Sequence, residues 1–588
     1  MKIAYTDKVK LIHAARGKIE SDFAFSNAKV LNVFTGEVLD ANVYIYENAI
    51  AHVDYECLPI ENCKKVIDLS GKYLVPGFID AHMHVESTMM TPRNFAKAAL
   101  VWGSTTVVTD PHEVANVVGV EGVVYMHDSG HDLPMRQFVD IPSCVPSVPG
   151  LENAGADFFR KEIEELSGLD RVIGLAEVMD YFGVADGEDR MMEIIDAAEK
   201  KGLYIQGHIP SPENRVLSAY LCGGPTTCHE TRGSEEALNK IRKGLYLDAR
   251  ESSMSKNMKT IWDGVKDMRY FDRVCFCTDD VNAGDILHQG HMNHVIQSAI
   301  DVGMNPIDAI RCATLNVAKE VSIDNLGAIA PGYIADMVVL DSLEVIKPTQ
   351  VYYGGRLVAE NGTLVEEIKD ESFPLEKKNT VFVKDLTAKD LTIAAPIANG
   401  KVKANVLSYM EYKTALSDIE EIEVEVKDGN IVLPEDVMFV AVVNRHSGND
   451  NVGLGLVKKF GNSHGSVAST VSHDCHNLTI VYDNPEDAVI AVNELKRVGG
   501  GFTSVYNGEI LHTLALPICG LMSDKEAKDL AVDCQKMAEV NCTLGLDRTL
   551  SPLMRIVTLA LIVIPNAKMS DLGLIHVTEK RIVPLFVD

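Results

Sequence analysis

Positive charge is scarce in this sequence: 55 Lys and Arg stand against 84 Asp and Glu, a formal net charge of −29. So acidic a chain repels phosphates, which excludes nucleic-acid binding in its general electrostatic mode. Long hydrophobic runs are also missing. The longest late one, residues 556–565, is too short to cross a bilayer. The opening Met1-Lys2-Ile3-Ala4-Tyr5-Thr6-Asp7 has no apolar core of signal-peptide length. No membrane partner is expected. The twelve cysteines are scattered without a short-range framework, so the expectation is reduced thiols in a cytoplasmic protein.

Several catalytic motifs are absent. There is no H-E-x-x-H, because His229-Glu230 is followed by Thr231, Arg232 and Gly233. The lack of P-C-x-x-C excludes the zinc deaminases that flip bases out of nucleic acid. No G-x-x-x-x-G-K-[ST] loop is present for nucleotide phosphates, and Gly499-Gly500-Gly501 reads as a flexible turn. Gly461-Asn462-Ser463-His464-Gly465 matches the G-x-S-x-G nucleophile elbow, so a serine esterase built on Ser463 is an alternative of a different class. An elbow needs a helix directly after the serine, whereas Val467-Ala468-Ser469-Thr470-Val471 favours a strand. No internal repeat or low-complexity tract is found.

What is present is a chain of 588 residues, 46% hydrophobic and 24% charged, enough for several domains with their own cores. Residues 1–20 read as a short helix. Strand-like text follows at 28–34, 43–46, 49–53 and 66–75. From 78 to about 321 the pattern alternates. Short apolar runs at 104–109, 172–177, 204–208, 226–229 and 273–278 are separated by helical stretches such as 191–201, 234–242 and 306–322. Such alternation implies an α/β chain with a (β/α)8 TIM-like barrel. Strand-like text returns at 327–340 and 351–358, and 370–379 is charged. The expected organisation is a small β-sandwich from residues 1–75 plus 325–375, a metal-dependent barrel over 76–324, and a C-terminal α/β domain over 380–588.

The sharpest signal is Pro76-Gly77-Phe78-Ile79-Asp80-Ala81-His82-Met83-His84. Residues i and i+2 of a strand point to one side, so His82 and His84 can share one metal. Barrel active sites lie where strands end. Glu177, His208, His229 and Asp279 each stand at the end of a strand-like run. Singly, each has an ordinary reading, such as a helix N-cap for Asp279; together they form a ligand set. Imidazole and carboxylate suit Zn, Mn, Fe or Ni. Asp285, His288, His291 and His294 recur every third residue, a series that drifts around a helix, and read as solvated or supporting groups.

With the later Gly-x-Ile-x-x-Gly-x-x-Ala-Asp-Met-Val-Val-Leu at 327–340, these residues resemble the amidohydrolase superfamily over roughly 25–360. The resemblance implies metal ligands His82, His84, His208, His229 and Asp279. Where related hydrolases carry a carboxylated Lys bridging two metals, this chain has Glu177, and a carboxylate can bridge without modification. Three more stretches resemble the bacterial and archaeal adenine deaminase branch: Asp110-Pro111-His112-Glu113-Val114-Ala115-Asn116-Val117; Gly207-His208-Ile209-Pro210 with Ala176-Glu177-Val178-Met179-Asp180; and Val471-Ser472-His473-Asp474-Cys475-His476-Asn477. Cys475 replaces the Ser of the branch's motif.

The resemblance implies hydrolysis of adenine to hypoxanthine and ammonia by a metal-activated hydroxide, within purine salvage. It implies a binuclear divalent site, with Mn2+ or Fe2+ favoured over Zn2+, and a homodimer. Asp279 is assigned as catalytic base and Glu113 as proton donor to the ring, with His112 nearby. His473, Asp474 and His476 are assigned to substrate binding or a lid over the barrel mouth. The competing expectation is another amidohydrolase acting on a cyclic amide or amino-heterocycle.

Overall fold

Eight short parallel strands, buried on both faces, form the centre of the molecule, as strands covered by helices must be. In chain order they are β1 (Phe78–Met83), β2 (Ser104–Thr109), β3 (Arg136–Pro142), β4 (Val172–Val178), β5 (Tyr204–Gly207), β6 (Thr227–Cys228), β7 (Tyr246–Arg250) and β8 (Val274–Cys277). The computed structural model describes residues 1–410, 416–446, 448–564 and 566–587; Pro565, which ends the late apolar run, lies outside them. β1 to β5 pair in one sheet and β6 to β8 in another. Thr226 N donates to Ile205 O at 2.9 Å and joins β5 to β6, while Asp279 N donates to His82 O at 3.0 Å and joins β8 to β1. The two sheets thereby close into the (β/α)8 barrel.

The helices cover it with amphipathic faces. In Asp189–Lys200 the buried residues are Met191, Ile194, Ile195, Ala197 and Ala198, the spacing of one apolar stripe. Asp189 lies in its first turn and Lys200 in its last, signs that complement the helix dipole. The stretch expected as one helix over 306–322 is two, Pro306–Cys312 and Leu315–Glu320. The break has a cause in the barrel: Ala313 O, freed from the helical ladder, accepts the Ile79 N–H of β1 at 2.8 Å.

The two flanking β regions meet in one nine-stranded sheet. Strand Met337–Leu340 pairs antiparallel with Tyr73–Pro76, Val339 opposite Leu74. A second nine-stranded sheet carries the C-terminal part. Its strands Ser466–Ser469 and Leu478–Tyr482 are antiparallel neighbours, and their connection, residues 470–477, is the segment that reaches the barrel mouth. The sheet is tied to the barrel beyond β1, where Ser523 N donates to Met89 O at 2.8 Å and Asn94 Nδ2 to Asp524 O at 2.8 Å. Ser463 sits in a loop that runs straight into strand Ser466–Ser469, with its Oγ 2.9 Å from His464 Nδ1. No helix follows it, so the elbow geometry of a serine esterase is not formed.

Candidate active site

β1 delivers His82 and His84 side by side, ring centroids 4.7 Å apart and nearly perpendicular. Glu177 ends β4, and His208, His229 and Asp279 follow β5, β6 and β8. The fold thus brings all six sequence-predicted donors together at the C-terminal rim of the barrel. They divide around the two oxygens of Glu177. Oε1 lies 4.0 Å from His82 Nε2 and 3.6 Å from His84 Nε2. Asp279 Oδ1 completes this first set at 3.7 Å from His82 Nε2 and 3.4 Å from His84 Nε2. Oε2 lies 2.6 Å from His208 Nδ1 and 3.0 Å from His229 Nε2, which is the second set. Burial alone would push the Glu177 carboxyl up, but the His229 and His208 imidazoles outweigh it and hold the group ionised, well below the usual range.

The donor set fits divalent cations. His82 is fully buried and both its ring nitrogens lack a hydrogen-bond partner among the described residues. Burial and the neighbouring His229 and His84 keep it neutral, with a lone pair to give. Two nitrogen or oxygen ligands about 2.1 Å from one ion stand about 3.4 Å apart in tetrahedral geometry, inside the 3.4–4.0 Å spread of the first set. Supporting bonds aim the ligands. Asp110 O accepts from His84 Nδ1 at 2.9 Å, which leaves Nε2 for a metal. Asn257 Nδ2 donates to His229 O at 2.7 Å. Asp80 of β1 accepts from Thr278 Oγ1 at 2.6 Å and from His82 N at 3.2 Å. Burial raises Asp80 to about 7.

Beside the ligands, β7 supplies a residue that the sequence reading missed. Arg250 bridges Asp279 Oδ2 and Glu230, the latter at 2.6 Å. Burial pushes the Glu230 carboxyl up, but Arg250 outweighs it and the group settles at about 2. Arg250 therefore fixes Asp279 with Oδ2 held and Oδ1 turned to His82 and His84. Asp279 is also held in the left-handed region at φ 55°, a conformation that costs a non-glycine residue on the order of 1 kcal/mol or more and is typical of functional positions.

A second group faces this one. His112 opens helix His112–Val118, directly after Pro111. Its Nδ1 is 3.0 Å from Asp110 Oδ2 and its Nε2 is 3.7 Å from Asp474 Oδ1. Asp474 Oδ2 accepts from Ser147 Oγ at 2.7 Å. Glu113 is fully buried, with Oε2 3.4 Å from His476 Nε2 and Oε1 2.5 Å from Ser87 Oγ. Ser87 Oγ is also 2.6 Å from Asp280 Oδ1. Those two O···O contacts require two protons, and Ser87 brings one. The structure thus joins His112, Glu113, His473, Asp474 and His476 into one buried network across more than three hundred residues of chain. Ser87, Asp280 and Glu86 belong to it and carried no signal in the sequence. Burial raises Glu86 to about 8.

The back of the 473–476 segment is pinned by Arg445, a guanidinium fully buried on the C-terminal sheet. Its Nε donates to His476 O, its Nη2 to Cys519 O at 2.9 Å and its Nη1 to Thr380 Oγ1 at 3.1 Å. His446 Nε2 meets Cys475 O at 2.8 Å. Arg445→Met strands those carbonyls and loosens the loop. The expected result is turnover at least tenfold lower with metal content unchanged, read by steady-state kinetics and atomic absorption on the same preparation. Wild-type turnover would show that the loop holds its place without this anchor.

Of the histidine series after β8, only His291 is fully buried. Its Nδ1 meets Ser104 Oγ at 2.8 Å, and its Nε2 lies 3.4 Å from both Asp80 and Thr278, beneath the first ligand set. Gly290, at φ 104°, separates helix Ala283–Gln289 from Met292–Asp301, so the four residues never share one helix. Asp285 stands in the first turn of helix Ala283–Gln289, behind the N-cap Asn282, and accepts from Ser253 Oγ at 2.5 Å.

Five of the six ligands, all but His82, and the 473–474 segment wall a cavity of about 450 Å³, within the range of small-molecule sites. Met179, Met254, Leu416, Leu561, Val563 and Ile564 give it apolar surface. The late apolar run excluded as a membrane span thus becomes part of the cavity wall. No helix among the described residues is long and apolar enough to cross a membrane.

Comparison with known proteins agrees with this geometry. Residues 73–403 match the amidohydrolase family, and residues 415–581 match the adenine deaminase C-terminal domain. An adenine deaminase of Moorella thermoacetica is 38% identical over 582 residues, covering 98% of this chain and 97% of that protein. Adenine deaminase 2 of Carboxydothermus hydrogenoformans is 37% identical, covering 98% and 99%. An adenine deaminase of Kosmotoga olearia is 37% identical over 586 residues, with the same coverage of 98% and 99%. The chain belongs to the adenine deaminase family of amidohydrolases.

Proposed function

We propose that this chain hydrolyses adenine to hypoxanthine and ammonia, in purine salvage. The observation that carries the reading is the division of donors around Glu177, set into the wall of a cavity that the C-terminal 473–474 segment completes. The relatives named adenine deaminase over nearly the whole chain support it. We infer two divalent ions, one on the Oε1 side with His82, His84 and Asp279, the other on the Oε2 side with His208 and His229. The donors are all nitrogen and oxygen, which suits Mn2+ or Fe2+ and also accepts Zn2+. Ions bound there supply water acidified to a pKa of about 7.

The remaining work falls to side chains. Asp279 Oδ1 takes the proton of the attacking water as oxygen bonds to C6, and returns it to the departing amine. Glu113 supplies the proton that the ring nitrogen needs, with its two oxygens held by Ser87 and His476. The second proton of the Ser87 contacts is placed on Glu113 for that purpose. His112 and Asp474 orient the purine edge, and the apolar wall takes the ring face. Water adds its oxygen to C6; one of its protons leaves on the amine as the C6–N bond breaks, and the other, on the new C6 hydroxyl, returns to Glu113 in place of the proton given to the ring nitrogen, leaving hypoxanthine and ammonia. The twelve cysteines are all unpaired, which fits the reading of a cytoplasmic protein.

The test is protein loaded with Mn2+ or Fe2+ and offered adenine, adenosine and hydantoin, with ammonia release followed. Adenine is expected to be turned over and a chelator to abolish the activity. Turnover of adenosine or hydantoin without adenine ends the assignment.

A further inference from the structure

A second convergence of imidazoles lies away from the cavity. His127 is in the last turn of helix Val120–Ser129, and His131 stands four residues on, past Gly130. Asp170 precedes β4 by two residues, whereas Glu177 is near the other end of that strand. At about 3.3 Å per residue the two carboxylates are on the order of 20 Å apart, so the cluster sits at the N-terminal end of the barrel.

Both Nε2 atoms converge on one carboxylate. His127 Nε2 is 2.8 Å from Asp170 Oδ1, and His131 Nε2 is 3.7 Å from Asp170 Oδ2. Each opposite nitrogen has a carboxylate of its own: His127 Nδ1 is 2.8 Å from Asp128 Oδ1 and His131 Nδ1 is 3.0 Å from Asp132 Oδ1. That arrangement fixes the proton on Nδ1 and leaves the Nε2 lone pair for a metal, as a carboxylate behind a ligating histidine does. The ring centroids are 6.3 Å apart. Ligands about 2.1 Å from a tetrahedral ion stand about 3.4 Å apart, so the carboxylate contacts of 2.8 and 3.7 Å bracket the required spacing. Three carboxylates, Asp128, Asp132 and Asp170, stand against one guanidinium, Arg171, and with neutral imidazoles the remaining negative charge favours a dication. The site is open on one side: the His127 side chain is 7% exposed, but His131 is 46% and Asp170 68% exposed, leaving room for water as the fourth ligand.

We propose that His127, His131 and Asp170 form a peripheral site for a divalent transition metal of the Zn2+ kind, which clips the end of helix Val120–Ser129 to the start of β4. It is independent of the catalytic centre. An imidazolium on His127 between Asp128 and Asp170 satisfies the same short contacts without a metal, and the experiment separates the two.

Full-length protein is equilibrated with excess Zn2+, freed of unbound ion by gel filtration, and its zinc counted. Wild type is expected to hold one equivalent more than the His131→Ala/Asp170→Asn double variant, with adenine turnover of the Mn2+ form unchanged in that variant. A His82→Ala/His84→Ala variant is expected to lose ions at the cavity and keep this one, which separates failure here from failure of the catalytic reading. Equal zinc in wild type and the His131→Ala/Asp170→Asn variant, both folded by circular dichroism, overturns the site. A second measurement uses wild type alone: Zn2+ is expected to protect His131 from diethyl pyrocarbonate, read by mass spectrometry, and unchanged modification overturns the proposal.

Discussion

Glu177→Gln is expected to lower turnover of adenine at least about a thousandfold, about 4 kcal/mol of transition-state stabilisation, and to leave the protein short of one metal ion. The reason is the use of both oxygens. Oε1 faces His82 and His84, and Oε2 faces His208 and His229. An amide keeps one acceptor oxygen and puts an N–H2 donor where the other was. That donor cannot ligate a cation, so one of the two sets loses its Glu177 oxygen. If the Oε2 side fails, His208 and His229 remain as a two-nitrogen site with no anion. If the Oε1 side fails, Asp279 alone offsets the charge beside His82 and His84. The substitution also removes the charge that holds four imidazoles around one point. Metal analysis and steady-state kinetics on one preparation check the result. A full complement of metal with turnover within tenfold of wild type would mean that Glu177 bridges nothing.

The ligand set was legible because its strands are short apolar runs that each stop at a single polar donor. β2 was read to its residue limits, and β4, β5 and β8 to within a residue at either end. β3 and β7 were not seen, for a shared physical reason. Their interior positions carry Gln137, Asp140 and Asp248, all buried, and polar residues inside a barrel break the run that marks a buried strand. Arg250 was lost with β7, although Leu247 and Ala249 alternating with Asp248 and Arg250 is a period-two signal. Arg445 was invisible for a different reason, because a lone Arg in mixed sequence reads as solvated, and only the tertiary fold buries it. Ser87 and Glu86 occupy one 3-10 turn after β1, where Ser and Thr look like ordinary turn residues. The contact between Glu113 and His476 spans a separation that no local spacing reports; the sequence could name both residues but not their meeting.

Asp279→Asn is expected to keep both ions and lose turnover by about a hundredfold to ten-thousandfold, the usual contribution of a positioned base. Asn retains an oxygen where Oδ1 stands, so coordination survives, but an amide oxygen cannot accept and return a proton at neutral pH. Arg250 keeps Glu230 as a partner at 2.6 Å, which limits the structural cost of losing the second carboxylate. Glu113→Gln is expected to produce a loss of similar size for another reason, since it removes the proton destined for the ring. The leaving group distinguishes them. With 6-chloropurine the departing chloride needs no proton, so the part of Asp279's work that lies in returning the proton to the amine is no longer required. The deficit of Asp279→Asn is expected to shrink on that substrate, while the deficit of Glu113→Gln persists because the ring still needs protonation as C6 is attacked. Full activity of Asp279→Asn on adenine would remove it as base. Equal deficits of both variants on both substrates would put the two carboxylates in one role, and the carboxylate beside them, Asp280, which shares Ser87 with Glu113, would then be the next residue to substitute.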